Sequence, residues 1–85
     1  MFKNKSDDNK NNICGKNICL LRKKHTPKMS QRALAELLQL NGIDVDKNAI
    51  QRIESGQRFV TDIELRAISQ IFNVSIDDLL SPNRN

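Results

Sequence analysis

An all-α domain of five short helices is the fold the sequence predicts, and three observations predict it. Apolar residues recur three and four apart, as on one helix face, in Leu34, Leu37 and Leu38 and again in Leu65, Ile68, Ile71 and Phe72. Residues that cap helices stand in front of the apolar stripes: Ser30, Asp46, Thr61 and Ser75. Nowhere does polarity alternate with the period of two that marks a half-buried strand.

Residues 1–12 are Lys, Asn, Asp and Ser around one Phe, too polar to offset the entropy of ordering, and are expected to form a disordered, basic and polar tail. A first helix is expected from about Ile13, with Ile13, Cys14, Ile18 and Leu21 on its inner stripe and Lys16, Arg22, Lys23 and Lys24 on other faces. It ends near His25, because the residue before Pro27 is pushed out of the α region. His25 reads as a C-terminal cap favoured by the helix dipole. Ser30 opens a second helix, which Asn41-Gly42 stops, since both residue types tolerate the left-handed conformation.

Asp46 caps a third helix in which Ile50 and Ile53 face inward and Lys47, Asn48, Gln51 and Arg52 face out. Ser55-Gly56 closes it, and Gln57 to Val60 form a loop with Phe59 and Val60 as apolar anchors. Thr61 and Glu64 make a capping-box pattern at the start of a fourth helix. Asn73 ends that helix, and Ser75 caps a fifth over 76–80, where Asp77 and Asp78 favour the positive helix end. Ser81-Pro82 terminates it, leaving 81–85 as a C-terminal tail and 13–80 as the domain. Helices two and three cannot bury their stripes alone, so one, four and five form the platform beneath them.

A chain of 85 residues allows one small domain. It has no apolar run long enough to span a bilayer and no secretory pattern at its start, so a cytoplasmic protein without a membrane partner is expected. In that compartment Cys14 and Cys19 are expected as a reduced, buried pair. The net charge of +4 is unevenly spread: residues 1–32 hold nine Lys/Arg against Asp7 and Asp8, whereas the remainder holds five against eight acids. A basic first third fits a polyanionic partner. Cys14, Cys19 and His25 lack the spacing of a zinc motif, so no metal is expected. There is no phosphate-cradling glycine loop, no HExxH and no nucleophile-and-base set, so neither catalysis nor a cofactor is expected.

The runs Leu21-Arg22-Lys23, Ser30-Gln31, Leu34-Ala35, Ile50-Gln51-Arg52-Ile53-Glu54-Ser55-Gly56 and Val74-Ser75-Ile76-Asp77-Asp78-Leu79-Leu80 stand in a familiar order. On these residues the chain resembles the Cro-like, xenobiotic-response-element (XRE) family of helix-turn-helix regulators, which includes phage repressors and small bacterial transcription factors. The resemblance implies a compact five-helix, lambda-repressor-like DNA-binding domain. Two departures stand out: the connector from His25 to Met29 is longer than usual, and so is the turn from Gln39 to Asp46. The stretch LQLNGIDVD is similar to a subtype with a longer turn.

The third helix, about 46–55, is then expected to enter the major groove. Lys47, Asn48, Ala49, Gln51 and Arg52 would read bases: the amides pair with adenine, the cations with guanine, and the Ala49 methyl lies against thymine. Ser30, Gln31, Arg32 and Lys28 around the second helix, and Ser55, Gln57 and Arg58 after the third, would hold phosphates. The resemblance also implies a partly buried ion pair between Arg22 and Glu54, and small Ala35 lets helices two and three approach. The expected partner is double-stranded DNA at a near-palindromic operator, bound by a homodimer. Repression is the expected role, since the chain has no room for a separate effector domain. The alternative is a protein-interaction module, such as an antitoxin or a small docking factor, presenting Leu40, Ile43 and Val45.

Overall fold

Four side-chain caps start four of the helices. Ser30 Oγ accepts from the Ala33 N–H at 3.0 Å, and Asp46 Oδ1 accepts from the Ala49 N–H at 2.8 Å. Thr61 and Glu64 bond each other's backbone N–H groups at 3.1 and 3.0 Å, and Ser75 and Asp78 do the same at 3.0 and 3.3 Å. Each cap satisfies N–H groups that a helix start leaves without partners. In the computed structural model, which describes residues 9–82, these caps precede α2 (Gln31–Leu40), α3 (Lys47–Glu54), α4 (Asp62–Phe72) and α5 (Ile76–Leu80). The first helix, α1 (Gly15–Lys24), begins differently: Asn12 Oδ1 accepts from the Gly15 N–H at 2.8 Å. The described residues form an all-α, five-helix domain, as the periodicity predicts.

The stops follow from backbone freedom. Gly42, Gly56 and Asn73 take left-handed φ values of 80°, 84° and 54°. Asn41, expected to share that role with Gly42, keeps φ at −92° and instead donates its side-chain amide to the Leu37 carbonyl.

The largest fully buried side chains come from every helix: Ile18 of α1, Leu34 and Leu38 of α2, Ile50 and Ile53 of α3, Ile68 of α4 and Leu79 of α5. Each such side chain contributes about 1.5–3 kcal/mol through removal from water. Met29 and Val45 join from the connectors. Ala35 is buried, and α2 packs on α3. The long turn between them is held shut by Val45, by an Ile43 N–H to Leu38 carbonyl bond of 2.9 Å, and by Gln39 donating to the Val45 carbonyl at 2.8 Å. Its extra length therefore sinks a side chain into the core rather than looping into solvent.

Several expectations change here. Ile13 is 58% exposed, because α1 starts only at Gly15 and leaves it outside the inner stripe. Phe59 is exposed, so of the two expected apolar anchors only Val60 packs against the core. Val45 is a core residue and is withdrawn from any partner surface, while Leu40 is 83% exposed. Both cysteines are free thiols, but only Cys14 is buried; Cys19 is half-buried. The polar tail was expected to run through residue 12. Lys10, Asn11 and Asn12 instead bond the backbone of residues 53–58, which their polarity alone does not foretell. Residues 1–8 and 83–85, also read as tails, lie outside the described residues.

Candidate nucleic-acid interface

With Asp46 as cap, the first seven residues of α3 divide cleanly. Ala49, Ile50 and Ile53 are buried, and Lys47, Asn48, Gln51 and Arg52 are exposed. Among the described residues none of those four side chains makes a hydrogen bond or ion pair, so their amides and cations remain available. Ala49 is a correction. Its neighbour one turn on is Ile53, so its methyl lies against the core at 7% exposure and does not face a base edge.

Arg22 and Glu54 hold this helix in place. Arg22 Nε and Nη2 donate to the two carboxylate oxygens at 2.7 and 3.0 Å, and Nη1 donates to the Met29 carbonyl at 3.1 Å. Gln31 Nε2 donates to Glu54 Oε1 at 3.0 Å. Burial alone would push the Glu54 carboxyl up, but the bonds from Arg22 and Gln31 and the arginine's charge outweigh it and hold it below the usual carboxylate range. Arg22 is in turn raised by its bond to Glu54. One carboxylate thus joins α1, α2 and α3.

The expected phosphate-binding residues separate into two groups. Ser30, Lys28, Arg32, Ser55 and Gln57 are exposed, and the Arg32 guanidinium touches Glu36 only at 3.9 Å. Gln31 and Arg58 are engaged within the protein, and so is the hydroxyl of the exposed Ser55. The Gln31 amide already donates to Glu54, which leaves the N-terminal end of α2 itself as the favourable place for an anion. Arg58 grips Glu64 through both terminal nitrogens at 2.9 Å, and that bond holds the Glu64 carboxyl low. Replacing Arg58 therefore loosens the loop as well as removing a cation, which its reading as a simple backbone contact overlooks.

The loop's own N–H groups point inward. Ser55 donates to Gln51, Gly56 to Ile53, and both Gln57 and Arg58 to the Arg52 carbonyl. The exposed side chain of the loop that keeps its donors is the Gln57 amide, because the Ser55 hydroxyl donates to the Arg52 carbonyl at 3.1 Å. The sequence reading missed the three residues that grip the loop from the other side: Lys10 on the Ser55 carbonyl, Asn11 on Gly56 and Gln57, and Asn12 on Ile53 and Arg58. Asn12, an asparagine three residues before a helical N–H, was the available signal.

A helix-turn-helix family model matches residues 21–79, which covers α2, α3, α4 and nearly all of α5. The chain belongs to the XRE/Cro-like helix-turn-helix family. The domain of this family is a DNA-binding regulatory domain. The match begins within α1 and therefore leaves out Lys10 to Asn12. No curated protein and no solved structure matches the chain. No helix among the described residues is long and apolar enough to cross a membrane.

Proposed function

We propose that the chain is a sequence-specific repressor that inserts α3 into the major groove of double-stranded DNA and binds a near-palindromic operator as a dimer. The observation that carries this reading is the α3 surface: Lys47, Asn48, Gln51 and Arg52 exposed together, opposite a fully buried Ile50 and Ile53. Long amides meet adenine and cations meet guanine in a bidentate manner, which gives such a face the means to tell bases apart. Lys28, Arg32, Ser30, Ser55 and Gln57 supply phosphate contacts that set register without reading sequence. A single short helix covers few base pairs, and two-fold pairing of half-sites is the geometric route to useful affinity. The site of action would be the cytoplasm.

Selection of bound duplexes from random DNA tests this directly. The expected result is a bipartite, near-palindromic site with half-sites about one helical turn apart. Recovery of no enriched sequence overturns the reading.

A second reading, docking on another protein, is favoured by Leu40 and by the apolar groove of about 370 Å³ that it lines with Pro27, Met29, Ala33 and Leu37. Salt separates the two. DNA affinity falls with a logarithmic slope of about 0.9 per neutralised phosphate, whereas apolar docking is nearly insensitive.

A further inference from the structure

Asn12 joins two helix ends with one side chain. Its Oδ1 accepts from the Gly15 N–H at 2.8 Å and so caps α1. Its Nδ2 donates to the Arg58 carbonyl at 2.7 Å and to the Ile53 carbonyl at 3.1 Å. The residues before it extend the grip. Asn11 donates its backbone N–H to Gly56 and its amide to Gln57, both at 2.8 Å, and Lys10 Nζ reaches the Ser55 carbonyl at 3.1 Å. The carbonyls of residues 53 and 55–58 therefore face the strap, while the N–H groups of 55–58 turn back into α3. The carbonyls of Gln51, Arg52 and Ile53 at the end of α3 accept from the loop's own N–H groups, and the strap adds a second donor at Ile53 and supplies the loop carbonyls that follow.

The packing beneath leaves little slack. A side chain at Gly15 would collide with the Ile53 carbonyl and stand 3.1 Å from that of Glu54, so the start of α1 lies directly on the end of α3.

We propose that Asn12 is a positioning residue for DNA reading: it fixes the end of α3 and the Ser55–Arg58 loop on α1, and thereby the angle at which Lys47 to Arg52 meet the groove. This rests on the DNA-reading function proposed above. The molecule contains its own control. Asn17, within α1, donates to the Leu79 and Ser81 carbonyls at 2.8 and 2.7 Å and ties α1 to the end of α5. The chemistry is the same, but the helix end it holds is not the reading one.

The test compares Asn12→Asp, Asn12→Ala and Asn17→Ala in the full chain. Asn12→Asp keeps the oxygen that caps α1 and replaces the donating amide with an oxygen facing two carbonyls. In the free protein, amide hydrogen exchange at Gln57 and Arg58 is expected to quicken about tenfold in both Asn12 variants and to stay within about twofold in Asn17→Ala. On DNA, the ratio of operator to random-duplex affinity is measured where circular dichroism shows every variant folded. That ratio is expected to fall about tenfold in the Asn12 variants and to hold within about twofold in Asn17→Ala. A residue that merely stabilises the fold moves the melting temperature and leaves this ratio alone. If Asn12→Asp does not fold, Asn12→Ala decides by the same two readouts. Unchanged exchange, or faster exchange with an unchanged ratio, overturns the proposal while leaving the DNA-reading function standing. A wild-type protein that prefers no DNA sequence overturns both, before any variant is made.

Discussion

Arg22–Glu54 and Arg58–Glu64 are the same chemical pair, an arginine fork on a glutamate, in two settings. The first pair is 12% and 7% exposed, spans 32 positions of sequence and includes Gln31 as a third member. The second is 29% and 10% exposed, spans six positions, and its glutamate also closes the capping box of α4. The Arg22 pair assembles only when α1, α2 and α3 have come together, so it reports on the tertiary fold. The Arg58 pair closes a loop onto the next helix and depends on few distant residues. A buried pair gains its value mainly from the penalty of breaking it, whereas a partly wet one lets the orphaned charge turn to water.

The largest effect is expected from removing one buried partner. Glu54→Ala strands Arg22 and is expected to cost about 3–5 kcal/mol in urea unfolding, enough to mimic loss of DNA binding by loss of fold. Glu64→Ala frees Arg58 towards solvent and removes half a capping box, for about 1–3 kcal/mol. A larger loss at Glu64 than at Glu54 would reverse the comparison. Double-mutant cycles sharpen it, with a coupling for Arg22 and Glu54 expected to exceed that for Arg58 and Glu64.

Acid probes both pairs at once. Arg58's bond holds Glu64 low, and at Glu54 the bonds from Arg22 and Gln31 overcome the opposing effect of burial. The unfolded chain therefore takes up protons near the ordinary glutamate value of about 4.3, before the folded protein does. The stability these carboxylates contribute is complete above that pH and is lost as pH falls through their lower folded values. Thermal unfolding followed from pH 7 to pH 3 is expected to show this decline, and Glu54→Gln and Glu64→Gln are each expected to flatten it.

Two smaller effects mark the limits. Gln51→Ala with Arg52→Ala is expected to abolish discrimination between operator and random DNA while leaving the melting temperature nearly unchanged; retained discrimination would move the reading face elsewhere. Glu36→Ala, which breaks the exposed contact with Arg32, is expected to change stability by no more than about 0.5 kcal/mol.

The helices were legible because their signals are local. Ser30, Asp46, Thr61 and Ser75 act within three residues of themselves, and Gly42, Gly56 and Asn73 act on their own backbone. What escaped depends on distant partners. Lys10 to Asn12 bond residues more than forty positions away, so a polar composition gave no sign of order. Arg58 looked like a free cation because nothing in the loop marks Glu64 as its partner. Ala49 was ambiguous in chemistry, since a methyl suits a core and a thymine equally. Its spacing of four from Ile53 decides for the core. Val45 passed as part of a turn because its burial depends on how α2 and α3 close over it.

The Arg52 carbonyl accepts from both Gln57 and Arg58, while the Arg52 side chain reaches away from the protein. Its main chain holds the loop, and its side chain is left to vary. Among the described residues, Lys47, Asn48 and Gln51 likewise anchor nothing with their outer groups. On the proposed reading the address can be rewritten without rebuilding the house: exchanging these four side chains redirects the protein to other sequences on an unaltered scaffold.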